Sequence, residues 1–149
     1  MAKLNSKLEG KTILIGLSGG IACYKVADLV SRLVQSKCDV HVIMTEGAAK
    51  FITPLTFASL TGNAVFDSQW SFIDGFDPQH VKLARKADAM LVAPCTMNML
   101  ATLAYGMTSD PLSLVISAID RNDTPVLLAP SMNATMLAQP STIRNTKQL

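Results

Sequence analysis

Unbroken apolar runs alternate along this chain with stretches in which apolar residues recur every three or four positions. Thr12-Ile13-Leu14-Ile15-Gly16-Leu17 is one such run, the pattern of a strand covered on both faces. Ala22, Val26, Leu29, Val30 and Leu33 then follow at helical spacing, which lays one apolar stripe against a sheet. Ser18 is expected to start and cap that helix. Further strands are predicted at 40–44, 89–93 and 126–129, and helices at 54–60, 79–87, 97–104 and 112–119. Strand–helix–strand repetition predicts a parallel sheet with right-handed crossovers, hence a three-layer α/β fold with helices on both faces.

Two stretches break the rhythm. Ala89 to Ser109 carries no charge and is long enough to span a membrane. Pro94, Thr96, Asn98, Thr102 and Gly106 interrupt it, so it divides into a strand, a polar turn and a helix. Asn63 to Pro78 is irregular yet holds Phe66, Trp70, Phe72 and Phe76, which predicts packing on the sheet or on a neighbour.

Composition narrows the class. The 149 residues form one domain, 1–149, large enough for a sizeable core. Hydrophobic residues make up 49% and charged residues 16%, which predicts apolar surface covered by other subunits. A net charge of +2 from 13 basic and 11 acidic residues, with no basic cluster, argues against nucleic acid as a partner. Cys23, Cys38 and Cys95 are odd in number and lack metal-ligand spacing; no metal is expected, and a reduced, cytoplasmic setting fits them. Residues 1–11 are polar and lack the apolar core of a signal peptide.

In an open parallel sheet, ligands bind outside the carboxyl ends of the strands. After the first strand come Ser18, Gly19, Gly20 and Ile21; the glycines allow close backbone approach and a helix start attracts an anion. Neither a P-loop nor a full Gly-x-Gly-x-x-Gly is present, so no dinucleotide is specified. After the second strand comes Thr45-Glu46-Gly47, where an acid could meet a ribose; a nicotinamide cofactor remains an alternative. After the third come Cys95, Thr96, Met97 and Asn98, and after the fourth Ser131, Met132 and Asn133. Each has an ordinary reading: Thr96 and Ser131 as helix caps, Met97 and Met136 as core filler, His80 as a structural residue opening a helix, Cys95 as a small apolar residue. Four strand ends bearing polar, ligand-suited residues together point to a site.

The segments 18–25, 44–46, 51–55, 80–84, 87–94 and 130–136 also resemble, in order, the homo-oligomeric flavin-containing cysteine decarboxylases, most closely their phosphopantothenoylcysteine decarboxylase branch. The specific parts are the Pro-x-Met-Asn-x-x-Met pattern, Pro130 to Met136, and His80 at a helix start. The resemblance implies a flavodoxin/Rossmann-like sheet binding FMN through positions matching Gly19, Gly20, Ile21, Thr45, Thr96, Met97, Asn98 and Ser131, with Ser18 beside them. It implies His80 as the active-site histidine, Asn133 holding the substrate carboxylate, Met136 at a substrate contact, and a homotrimer or dodecamer with sites between subunits. The implied reaction removes carbon dioxide from a cysteine-derived acid, 4'-phosphopantothenoylcysteine, after flavin oxidation of the thiol carbon creates an electron sink. An amide at 133 orients the carboxylate without a full countercharge, and His80 can exchange a proton near neutral pH.

The chain departs from the family pattern at Leu137, where an aromatic is frequent, and at Thr108-Ser109-Asp110. The family's flap and its assisting cysteine lie beyond the asparagine motif, whereas all three cysteines here precede it. Two other functions stay open: a non-catalytic FMN-binding regulatory protein, and a flavin prenyltransferase or nicotinamide reductase on the same sheet. The pairing of His80 with Asn133 argues against the last.

Overall fold

The computed structural model describes residues 6–70 and 78–149. Four strands, β1 (Thr12–Leu17), β2 (Asp39–Met44), β3 (Ala89–Cys95) and β4 (Val126–Pro130), form one sheet in the order β2-β1-β3-β4. All three pairings are parallel. The predicted α/β architecture is therefore the observed one. β3 and β4 continue two residues and one residue past the predicted ends, and β2 begins one residue early at Asp39, because hydrogen bonding carries on where hydropathy stops; Cys95 still pairs with Pro130.

Alternation along β1 sorts the core into two layers. Ile13, Ile15 and Leu17 join Val40, Val42 and Met44 beneath α1 (Cys23–Gln35) and α3 (Pro54–Thr61), with the short α2 (Glu46–Ala49) closing that side. Leu14 faces the other way, with Met90, Val92 and residues of α4 (Gln79–Lys86), α5 (Met97–Ala104) and α6 (Pro111–Ala118). Burial in α1 falls on Cys23, Val26, Val30 and Leu33, the stripe that its helical period specifies. Gly16, on the opposite face, leaves room for the Leu112 side chain of α6, which a Cβ there would strike.

Helix α1 begins at Cys23, not at Ser18, and its N-cap Ala22 makes no side-chain cap bond. The sequence-based start fails because Ser18 is engaged elsewhere and residues 19–22 form a turn, closed by the Cys23 N–H donating to the Gly20 carbonyl at 3.0 Å. Helices α7 (Ala134–Leu137) and α8 (Pro140–Gln148) lie beyond any predicted element. A four-residue helix is too short to show a period, and α8 is mostly polar.

The aromatic stretch divides. Phe66 is buried and bridges Ile43 in parallel at the outer edge of β2, whereas Trp70 is 80% exposed. Phe72 and Phe76 lie outside the described residues. Segment 89–109 resolves into β3, a turn and α5, and no helix among the described residues is long and apolar enough to cross a membrane.

One cap in the core is testable. Asp110 accepts from the N–H groups of Leu112 (2.9 Å) and Ser113 (3.0 Å), while the Ser113 hydroxyl returns a bond to the Asp110 backbone and carboxylate. Asp110→Ala is expected to remove about 1 kcal/mol of stability. Thermal denaturation should read this as a fall of roughly 2–4 °C in Tm.

Candidate functional site

The sheet order reverses between β1 and β3: the chain leaves β1 for β2 on one side and returns to β3 on the other. A ligand crevice belongs at the carboxyl ends of the strands flanking that reversal. Backbone and side-chain bonds tie the four strand ends together there. The Thr45 N–H donates to the Leu17 carbonyl (3.0 Å), the Ser18 N–H to the Pro94 carbonyl (3.2 Å), and the Ser131 N–H to the Cys95 carbonyl (3.0 Å). The predicted turns at Ser18, Thr45, Thr96 and Ser131 thus stand side by side.

Gly19 and Gly47 meet where the turns after β1 and β2 cross. A Cβ on Gly19 would lie 2.8 Å from the Gly47 carbonyl carbon, closer than any side chain sits against backbone. Gly47 is the residue that sequence reasoning undervalued. Its signal was its place two residues after Thr45, in a turn that has to pass another glycine turn.

Three polar residues of the cluster do two jobs. Thr45 Oγ1 accepts from the Ala48 N–H (3.2 Å), Thr96 Oγ1 from the Met99 N–H (3.2 Å), and Asn133 Oδ1 from the Thr135 N–H (2.8 Å). These are the N-caps of α2, α5 and α7. Capping uses an acceptor and leaves the donor. The hydroxyl protons of Thr45 and Thr96 and the Asn133 amide N–H groups have no acceptor among the described residues. A hydroxyl carries one proton and an amide two, so the strand ends present donors, suited to a ligand rich in oxygen acceptors. For Thr96 the cap reading holds, and the unused hydroxyl proton is compatible with the ligand reading. Ser131 caps no helix; Asn133, two residues on, takes that place.

A groove of about 270 Å³ runs beside these ends, lined by Ala22, Val26 and Leu29 of the α1 side and by Ala93, Pro94 and Pro130 of the sheet. It continues onto β4, whose Leu127 is 58% exposed. Ile21, Asn98, Asn133 and Met136 are also exposed, while Gly19, Gly20, Thr45, Thr96 and Met97 are half-buried. Cys95 is fully buried, and burial pushes its thiol up to about 12; it is a structural residue, since the thiolate is the reactive form.

His80 is half-buried in the first turn of α4, with Leu83 and Ala84 packed beneath. Among the described residues, no hydrogen bond or ion pair joins His80 to the strand-end cluster. A second polar group, His41 with Asp39, Asn63 and Lys86, lies at the start of β2, away from the carboxyl ends. Burial lowers the His41 pKa against the opposing hydrogen bond that the ring donates to the Asp39 carboxylate, and the Lys86 charge lowers it further.

Comparison with known proteins bears on this geometry. A family model described as Flavoprotein matches residues 1–149. The coenzyme A biosynthesis bifunctional protein CoaBC of Haemophilus influenzae is 40% identical over 145 residues, covering 93% of this chain and 34% of that protein. The chain thus spans about a third of the length of the curated relatives it matches. Among solved structures, the FMN-dependent cysteine decarboxylase SpaF superposes with a TM-score of 0.87 at 28% identity, covering 95% of this chain and 80% of that one. A PPC decarboxylase variant complexed with pantothenoylaminoethenethiol gives 0.78 at 26%, covering 95% and 78%.

Proposed function

This chain belongs to the Flavoprotein family, and from that premise we propose that it binds FMN and decarboxylates 4'-phosphopantothenoylcysteine to 4'-phosphopantetheine in coenzyme A biosynthesis. The observation that carries the reading is the donor set at the sheet reversal, Thr45, Thr96 and Asn133, next to the Gly19–Gly47 crossing. FMN fits it chemically: a phosphate and two ring carbonyls need donors, and the glycine pair lets the turns after β1 and β2 pack closely beside them, where a Cβ on Gly19 would strike the Gly47 backbone. In this reading Gly19, Gly20, Ile21, Thr45, Thr96, Met97, Asn98 and Ser131 hold the cofactor.

When bound, FMN would supply a reversible two-electron oxidation of the substrate's thiol carbon to a thioaldehyde, whose C=S group lies β to the carboxylate and takes up its electron pair as carbon dioxide leaves, and would return the two electrons to the resulting enethiol, which with a proton becomes the saturated thiol product. The protein's share is placement. Asn133 keeps its Oδ1 on α7 and turns its Nδ2 donors to the substrate carboxylate, fixing it without a neutralising charge that would oppose its loss. Met136, exposed on the same short helix, walls the substrate. His80 holds or passes the proton of the substrate thiol.

A homotrimer, or a dodecamer built from trimers, completes the site. The groove is smaller than the 300–1,000 Å³ usual for a pocket enclosing a ligand of cofactor size. Ile21, Tyr24, Phe51 and Leu55 are exposed, apolar surface that a neighbouring copy covers, and such a neighbour brings its His80 to this cluster. Analytical ultracentrifugation at micromolar concentration is expected to show a trimer or its multiples; monomer alone would contradict the assembly. The reduced cysteines Cys23, Cys38 and Cys95 fit a cytoplasmic setting.

The test of function is the absorbance spectrum of the purified protein with turnover of phosphopantothenoylcysteine on the same sample. A yellow protein that releases FMN on denaturation and liberates carbon dioxide supports the reading. Release of FAD, or a colourless protein indifferent to added FMN, defeats it. FMN retention without turnover would favour the non-catalytic alternative.

A further inference from the structure

We propose that Ser18 is a positioning residue that sets the spacing between the two halves of the cofactor site, and that its hydroxyl does not touch the cofactor. The side chain is 2% exposed. Its hydroxyl donates to the Pro94 carbonyl at 2.7 Å and accepts from the Thr96 N–H at 2.9 Å. A serine hydroxyl has one proton, and Pro94 takes it. Nothing remains for Ser18 to donate to a phosphate oxygen, the contact that a serine beside a glycine turn suggests.

The same residue anchors everything around it. Its N–H also reaches the Pro94 carbonyl at 3.2 Å, so Ser18 and Pro94 form a two-bond clamp between the ends of β1 and β3. Its carbonyl accepts from the Cys23 Sγ at 3.3 Å, which fastens the far end of the Gly19–Gly20 turn at the start of α1. Its oxygen fixes the Thr96 backbone, and Thr96 then caps α5 with Oγ1 while its own proton stays available. The glycine turn and the Thr96 donor therefore keep their separation through one buried hydroxyl. Without it the half-buried Thr96 N–H loses its acceptor and the Pro94 carbonyl one of its donors, a loss the segment relieves by shifting.

This inference rests on the FMN reading above, and the experiment separates the two. The full chain and its Ser18→Ala variant are titrated with FMN, following quenching of flavin fluorescence and the visible circular dichroism of the bound flavin. Val115→Ala, a truncation in the buried face of α6, serves as a destabilised control, and Tm is measured for each apoprotein. Ser18→Ala is expected to weaken FMN by on the order of tenfold, the scale seen when groups orienting ligand-bearing residues are removed, and to alter the dichroism. Val115→Ala is expected to lose stability while binding FMN like the parent. Should Ser18→Ala lower Tm but bind FMN as the parent does, Ser18 is merely structural and the proposal is overturned. If Ser18→Ala does not fold, Ser18→Cys, whose thiol is a weak donor and a weak acceptor on a longer C–S bond and so loosens both contacts, carries the same comparison; parental affinity and dichroism in it would overturn the proposal. A parent that ignores FMN fails the functional reading itself, and this inference with it.

Discussion

Asn133→Asp is expected to yield a folded protein that keeps FMN and decarboxylates on the order of a hundredfold more slowly than the parent. The substitution separates the two uses of one side chain. Aspartate caps a helix as well as asparagine, so the bond from the Thr135 N–H that starts α7 survives. The two Nδ2 donors do not. A carboxylate in their place repels the substrate carboxylate by about 1 kcal/mol in water and about 4 kcal/mol at an effective dielectric of 20, for charges roughly 4 Å apart. The lost hydrogen bonds to a charged group add about 1.5–3 kcal/mol. Each 1.4 kcal/mol is a factor of about ten. Steady-state carbon dioxide release, with Tm and flavin content as controls, reads the effect. His80→Asn keeps a hydrogen-bonding group but no titrating one, and a comparable fall with FMN retained is expected. Parental turnover in both variants would remove Asn133 and His80 from the active site; loss of fold or flavin in either would mark a structural residue.

The second large effect is expected at Gly19→Ala. The added methyl meets backbone, not a flexible side-chain tip: Gly47 carbon, Cα and oxygen all lie within about 3 Å of it. One of the two turns has to move. Overpacking of this kind costs about 1–3 kcal/mol, or roughly 2–12 °C in Tm for a domain of this size. The displacement also moves Thr45, whose N–H is tied to Leu17 and whose hydroxyl belongs to the donor set. FMN titration should show binding lost or weakened well beyond what the Tm change implies. Gly62→Ala makes a useful contrast. Gly62 has φ of +73° and open space at its Cβ, so alanine there strains the backbone and costs stability without reaching the cofactor. Parental FMN affinity in Gly19→Ala would mean that the glycine crossing is no part of the cofactor site.

The main elements of this fold were legible because their burial is two-sided or periodic. β1 is an uninterrupted apolar run, and Val26, Val30 and Leu33 recur at helical spacing. What escaped depends on contacts far apart in sequence. Ser18 followed by two glycines reads as a helix start, yet its hydroxyl is taken by Pro94 and Thr96, more than seventy residues away. Gly47 looks like an ordinary turn glycine until Gly19 is placed against it. Helix α8 is mostly polar, with Ile143 its one large apolar residue; it is held by polar bonds such as Thr142 to the Met136 carbonyl and Gln148 to the Ala104 carbonyl. Polar strand ends announced a site after each strand, and the bonds joining those ends place them together. His80 was singled out by its position at a helix start, but no bond among the described residues joins it to the strand ends, so no local pattern could set it beside Asn133.

The caps at the strand ends carry a consequence for the entropy of binding. Thr45, Thr96 and Asn133 are each held in one rotamer by a helix N–H before any ligand arrives. Ordering a free side chain on binding costs roughly 0.5–1.5 kcal/mol. Three side chains already ordered spare an arriving molecule about 1.5–4.5 kcal/mol, or roughly one to three orders of magnitude in affinity. Their rotational freedom is lost when the chain folds. A ligand held by the donor ends of the same three side chains would leave their acceptor ends, and so α2, α5 and α7, capped as they were.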